Sequence, residues 1–277
     1  MASKINEELL TNAVLGLLSF LKAKTYHNIE ITRLTRVLYV LLFCGAAKRS
    51  PFFGGILDDI IERQQPDGGW TDPEETAWAV GSIKLMQDLK DSSISSAIHW
   101  LDSVRHTGGG WRRHPRDRQR IPVTGLLLYL LPELSDERSV NWLKNEWRKD
   151  FEGATRLTYK GAFFLLGLSA SRGAIDDCPL IEETYSFLHA EQNDDGGFGP
   201  WKDHPIGSDP WSTGIVLLGL LSYPELVKRD VIERAVNWLA ENQLPNGLWA
   251  YHYIEEGSAY AYWGLVEALK FLSRESS

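Results

Sequence analysis

The sequence predicts an all-α protein, a single (α/α)6 toroid of about twelve helices in two concentric rings spanning residues 1–277. Three observations carry this reading. A unit of helix end, glycine-rich turn with an aromatic, and new helix recurs: QQPDGGW closing on Trp70, GGGW on Trp111, QNDDGGFGPW from Gln192 and QLPNGLW from Gln243. Recurrence at intervals of roughly 40–50 residues marks stacked helical units. Between the turns, amphipathic segments alternate with segments that are apolar nearly all round, and no convincing period-2 strand interrupts them. The amphipathic helices suit an outer ring that faces water on one side. The apolar ones suit an inner ring packed on both. An open solenoid is the competing arrangement, but a closed ring has no ends to cap.

Each element has a local reason. Leu10, Val14, Leu17, Leu18 and Leu21 set the first helix within Glu7–Lys22, and Thr32 can cap a second through Leu34, Val37, Leu38, Leu41 and Leu42. A third runs from Gly54 to Gln64 and stops at Pro66-Asp67-Gly68-Gly69. Asp72-Pro73 opens the fourth, to about Leu89; Ser92–Arg105 is the fifth; Pro122 opens the sixth, which carries Leu126–Leu131. Asp136–Lys149, Arg156–Ala170 and a helix from Pro179 to just before Asn193 follow. Asp209-Pro210 opens the tenth, Lys228–Asn242 is the eleventh and Gly257–Ser273 the twelfth.

Composition narrows the function. With 43% hydrophobic residues the chain can bury a sizeable core, and a formal net charge of -8 argues against a nucleic-acid partner, which needs a basic face. Two cysteines, Cys44 and Cys178, make neither a disulfide framework nor a four-thiolate zinc site and fit a reducing, cytoplasmic compartment. The apolar run near the N-terminus is too short to span a bilayer and has no basic leader ahead of it.

The units QQPDGGW, QNDDGGFGPW and QLPNGLW resemble the QW repeats of the squalene–hopene cyclase, class II terpene cyclase and protein-prenyltransferase-β superfamily. The resemblance covers most of the chain from about Gly54 and implies the α/α toroid, with the glutamine and the aromatic ring tying neighbouring units together. It implies an isomerase or lyase of isoprenoid biosynthesis less strongly than it implies the fold, because one fold serves many chemistries. Within it, Asp72-Pro73-Glu74-Glu75-Thr76-Ala77 resembles the aspartate-rich DxDDTA motif of the cyclases. The residue matching the family's proton donor is Glu74, flanked by Asp72 and Glu75, though two of the family's aspartates are glutamates here. Protonating an alkene needs a carboxylic acid kept neutral by its neighbours in an apolar pocket. The same six residues also make an ordinary helix start, with Asp72 as N-cap and Pro73 in the first turn. Both readings stay open at this point.

Two further groups belong to the substrate. Arg112, Arg113, Arg116, Arg118 and Arg120 crowd one loop, and guanidinium forks suit a diphosphate or similar anion; a solvated basic loop or a protein contact is the alternative. Aromatics on the presumed inner helices, with Trp78, Trp211, Tyr260 and Trp263 foremost, can line a cavity and stabilise a carbocation, or simply pack the core. Together these features point to protonation-initiated cyclisation of a linear isoprenoid or isoprenoid-bearing substrate in an aromatic-lined barrel. A non-catalytic toroid binding an isoprenoid or a protein, and a prenyltransferase-β-like subunit, are the alternatives. No cofactor is required, magnesium entering only with a diphosphate substrate. Asp176-x-Cys178 superficially resembles prenyltransferase zinc ligands but precedes an outer helix, and no metal is assigned. A homodimer or second subunit could complete the site, and a greasy substrate allows peripheral membrane contact.

Overall fold

The computed structural model describes residues 2–23, 31–45, 50–86, 92–153, 156–171 and 178–274. They form α1 (Ala2–Ala23), α2 (Ile31–Phe43), α3 (Pro51–Glu62), α4 (Pro73–Met86), α5 (Ser92–Ser103), α6 (Ile121–Leu130), α7 (Glu137–Glu152), α8 (Thr158–Ala170), α9 (Cys178–Ala190), α10 (Pro210–Leu220), α11 (Arg229–Glu241) and α12 (Ile254–Arg274). Short 3-10 turns at Pro132–Leu134 and Pro224–Leu226 follow α6 and α10. The even-numbered helices pack in sequence from α2 to α12, and α12 then packs back on α2. The odd-numbered helices lie outside the even-numbered ones: α3, α7, α9 and α11 each pack on both even-numbered neighbours, α5 packs on α4, and α1 bridges α2 and α12. This is the closed double ring of the α/α toroid; the open solenoid is excluded. None of the described helices is long and apolar enough to cross a membrane.

The repeated turn closes the ring through one set of hydrogen bonds. Trp70, Trp111 and Trp249 each send the indole N–H to a carbonyl in the preceding outer helix, at Ile60, Leu101 and Leu239 (2.9, 2.8 and 2.7 Å). Their backbone N–H groups, and that of Phe198, donate to Thr76, Thr124, Ser258 and Thr213 hydroxyls in the next inner helix, each at 2.9 Å. Gln64, Gln192 and Gln243 donate both to their own turn and to the next outer helix, at Ser93, Val231 and Leu9. The last of these pins the end of the chain to its beginning. Arg105 holds the glutamine position before Trp111 and reaches Leu134 O and Ser139 Oγ instead, a substitution invisible to a pattern that begins with glutamine. The turn glycine is obligatory at Gly247: its φ is +81°, and a Cβ there would lie 1.9 Å from the Asn12 carbonyl.

Three helix starts differ from expectation by three residues or more, and α1 among them begins at Ala2 rather than near Glu7. α12 begins at Ile254 rather than Gly257, because Glu255 and Glu256 are first-turn acids that favour a helix N-terminus. α3 begins at Pro51, proline being well placed in a first turn even with Gly54 and Gly55 behind it. The Thr32 side chain, the expected cap of α2, lies outside the described residues.

Candidate functional site

The N-terminal ends of α4, α6, α8, α10 and α12 surround a cavity of about 420 Å3. Its apolar wall is Ile121, Pro122, Val123, Leu126, Phe163, Trp211 and Tyr260; its polar wall is Glu74, Arg113, Gln119, Arg120, Glu146, Asp150, Tyr159, Lys160 and Glu256. Close helix packing sets the aromatics in place. A Cβ on Gly214 would stand 2.3 Å from the Tyr260 backbone, so only glycine lets α10 approach α12 there. Tyr159, Phe163 and Tyr260 then meet Trp211 at centroid distances of 5.2, 6.2 and 5.8 Å, mostly edge to face.

The DPEETA segment divides between a helix cap at Asp72 and a cavity-facing carboxylate at Glu74. Asp72 Oδ1 accepts the Glu75 N–H at 2.9 Å and caps α4. Glu74, one residue into the helix, faces the cavity instead. Its carboxylate meets Arg36 Nη2 at 3.0 Å and Arg113 Nε at 3.3 Å, and Arg113 Nε also lies 3.3 Å from Asp72 Oδ2. Burial raises the Asp72 carboxyl above its ordinary value, the Glu75 N–H opposes this, and the Glu74 charge adds to it. Glu75 is 7% exposed and forms no part of the cavity wall.

Sequence reasoning missed the residue on which the site turns. Arg36 comes from α2, is 4% exposed, and joins Glu74 to Glu256, which it meets through Nη1 at 2.9 Å. Burial opposes its charge, but Glu256 and Glu74 outweigh that and hold the guanidinium well above its ordinary pKa. It also lies over the rings of Trp78 and Tyr260, at 5.7 and 5.8 Å. An arginine inside the apolar run LTRVLYVLLF was the available signal. Glu256 was hidden because the stretch before Gly257 read as loop.

The structure brings together only part of the predicted substrate set. Arg113, Arg120, Trp211 and Tyr260 line the cavity. Arg116 and Arg118 are exposed and Arg112 is half-buried, and none of the three lines the cavity. Trp78 and Trp263 are fully buried and pack with each other and Tyr39, so these two are core and not cavity residues. Asp176 and the side chain of Cys178 lie outside the described residues. Among the described residues no group of three or more His, Cys, Asp or Glu side chains is placed to hold a metal.

The prenyltransferase alpha-alpha toroid domain model matches residues 71–273. Drimenyl diphosphate synthase of Streptomyces showdoensis is 25% identical over 213 residues, covering 69% of this chain and 40% of that enzyme. Squalene–hopene cyclase of Zymomonas mobilis is 33% identical over 253 residues, covering 70% of this chain and 38% of the relative. The chain thus spans about two fifths of the length of both relatives. The fold superposes on a variant of the type II terpene cyclase MstE from Scytonema, in complex with geranylgeranyl dihydroxybenzoate as substrate, with TM-score 0.76, 18% identity and coverage of 98% of this chain and 100% of that one. By the extent of the family match, the chain belongs to the prenyltransferase alpha-alpha toroid family.

Proposed function

We propose that this chain is a type II terpene-cyclase-like enzyme that protonates an isoprenoid or isoprenoid-bearing substrate with Glu74 and closes its ring in the aromatic cavity. The observation that carries the reading is the placement of Glu74 on one wall beside Tyr260, with Trp211, Phe163 and Tyr159 forming the rest of the aromatic surround. The volume falls at the lower end of the roughly 300–1,000 Å3 usual for small-molecule sites, which favours shorter prenyl chains over squalene.

The chemistry follows from the neighbours. Glu74 in its protonated form gives its proton to one alkene carbon, whose π pair makes the new C–H bond and leaves a cation on the other carbon. A second alkene attacks that cation, the ring closes, and loss of a proton or capture of water ends the sequence. An alkene is a feeble base, so the donor has to be strong. Arg36 and Arg113 stabilise the carboxylate left behind, which drives the transfer forward. Rings stabilise the cation through their faces; Tyr260 shares one of its faces with Arg36, which leaves Trp211, Phe163 and Tyr159 as the rings turned to this task. Asp72 holds Arg113 and the start of α4, tuning Glu74 from behind. No cofactor takes part in the proton transfer. Work in the cytoplasm, with substrate drawn from a membrane surface and a partner chain over the mouth, is consistent with this reading.

One observation favours a second reading. The Arg36–Glu74–Arg113 pairing is also a good structural salt bridge, which suits a toroid that binds an isoprenoid without converting it. Incubation of the protein in D2O with geranyl, farnesyl and geranylgeranyl diphosphates, the corresponding alcohols, and squalene decides between them. A cyclic product carrying solvent deuterium is the expected result; recovery of every substrate unchanged would leave the binding module.

A further inference from the structure

The head-group end of the cavity is unlike an anion site. Its wall carries four carboxylates, Glu74, Glu146, Asp150 and Glu256, against three cations, Arg113, Arg120 and Lys160. Each cation already faces a carboxylate. Arg113 meets Asp72 and Glu74 at 3.3 Å, Arg120 meets Asp117 at 3.1 Å, and Lys160 meets Asp150 at 2.7 Å. A diphosphate would add at least two negative charges to this wall and would have to draw the cations from Asp72, Asp117 and Asp150, weakening those pairs, while Glu74 keeps Arg36. The helix N-termini around the mouth favour anions in general, yet Glu74 and Glu256 already occupy the first turns of α4 and α12. A net charge of -8 offers no long-range attraction for a dianion. An alcohol or phenol, by contrast, can accept from Lys160 or Gln119 and donate to Asp150 with every pair left in place.

We infer that the cavity takes a prenyl chain ending in an uncharged hydroxyl head group, an alcohol or a phenol, in preference to the same chain ending in diphosphate. This rests on the isoprenoid reading of the cavity and narrows its substrate class.

The test is binding, so it does not depend on turnover. Farnesol, farnesyl phosphate and farnesyl diphosphate are titrated onto the full chain, each with and without magnesium, and followed by intrinsic tryptophan fluorescence. Affinity should fall along the series, with diphosphate at least about ten-fold weaker than alcohol. In Glu146→Gln the ratio of the diphosphate to the farnesol dissociation constant should narrow at least about threefold. Should that variant fail to fold, raised salt on the native protein must narrow the same gap by screening. Diphosphate binding tighter than farnesol, with or without magnesium, overturns the inference while sparing the isoprenoid reading. A gap that neither the variant nor salt alters does the same. Binding of none of the three sinks the isoprenoid reading and the inference together.

Discussion

The first turn, around Trp70, and the last, around Trp249, are built to one plan and lead to different surroundings. In both, the indole reaches back ten residues to a carbonyl of the preceding outer helix, and the backbone N–H reaches forward to a hydroxyl, Thr76 or Ser258, at 2.9 Å. Two residues before each hydroxyl stands a glutamate, Glu74 or Glu256, on the cavity wall. The two carboxylates hold opposite terminal nitrogens of one guanidinium, that of Arg36. Glu74 then gains Arg113 from the loop before α6 and has Asp72 beside it as a cap, whereas the position equivalent to Asp72 before Glu256 is apolar Ile254. The scaffold therefore places a carboxylate twice, and the residues around it decide what it does.

The largest effect should separate the two glutamates. Glu74→Gln should lower turnover about 10^2- to 10^4-fold, the usual worth of a positioned proton donor, while Glu256→Gln should keep protonation and change the product ratio or cost far less. Equal losses, measured on product by mass spectrometry, would erase the distinction.

Arg36→Met comes next and should strike both sides at once. Two carboxylates lose a common cation; with side chains only 15% and 22% exposed, the cost should be about 3 kcal/mol by denaturant titration, at the low end for breaking a buried pair because the cavity admits water. A variant as stable as wild type would mean that Arg36 is not what joins the first and last inner helices.

Smaller, and the same at both turns, is the effect of the glutamines. Gln64→Ala and Gln243→Ala each leave two carbonyls without their donor and should cost about 1–3 kcal/mol. Markedly unequal costs would show that ring closure at Gln243 is energetically unlike the other joints.

Asp72→Asn should change least. Asparagine caps nearly as well as aspartate, so stability at neutral pH should alter by less than about 1 kcal/mol. Because burial raises the Asp72 carboxyl in the folded chain, its contribution is fully present below the ordinary aspartate value and is lost as pH rises through the folded one. The wild type should thus gain on Asp72→Asn as pH falls through that window; a gap independent of pH would contradict the assigned shift.

The ring was legible because each joint repeats the same short-range chemistry, and glycine, glutamine and aromatic at fixed offsets survive even where single helices read poorly. The site was legible only where it coincided with a repeat: Glu74 stands in a recognisable motif, Trp211 opens α10, and Tyr260 follows by two residues the Ser258 hydroxyl that the last turn binds. Arg36 belongs to α2, ahead of the first turn; it meets Glu74 through the packing of α2 on α4, and Glu256 only because the ring closes α12 onto α2, and nothing local reports either contact. Lys160 and Asp150 were likewise unreadable, since their pairing joins an outer helix to the next inner one. Trp78 and Trp263 share the pattern of the cavity aromatics, and only packing shows that they are core.

The most direct measurement is turnover in D2O by wild type and Glu74→Gln, with deuterium in the product read by mass spectrometry. Glu74 stands on the cavity wall with Tyr260, Trp211 and Phe163, and glutamine keeps its shape without an acidic proton. If Glu74 is the proton donor, wild type gives a cyclic product carrying one solvent deuterium, and Glu74→Gln gives at least about 100-fold less of it. Deuterated product formed as fast by Glu74→Gln would show that the proton comes from another group.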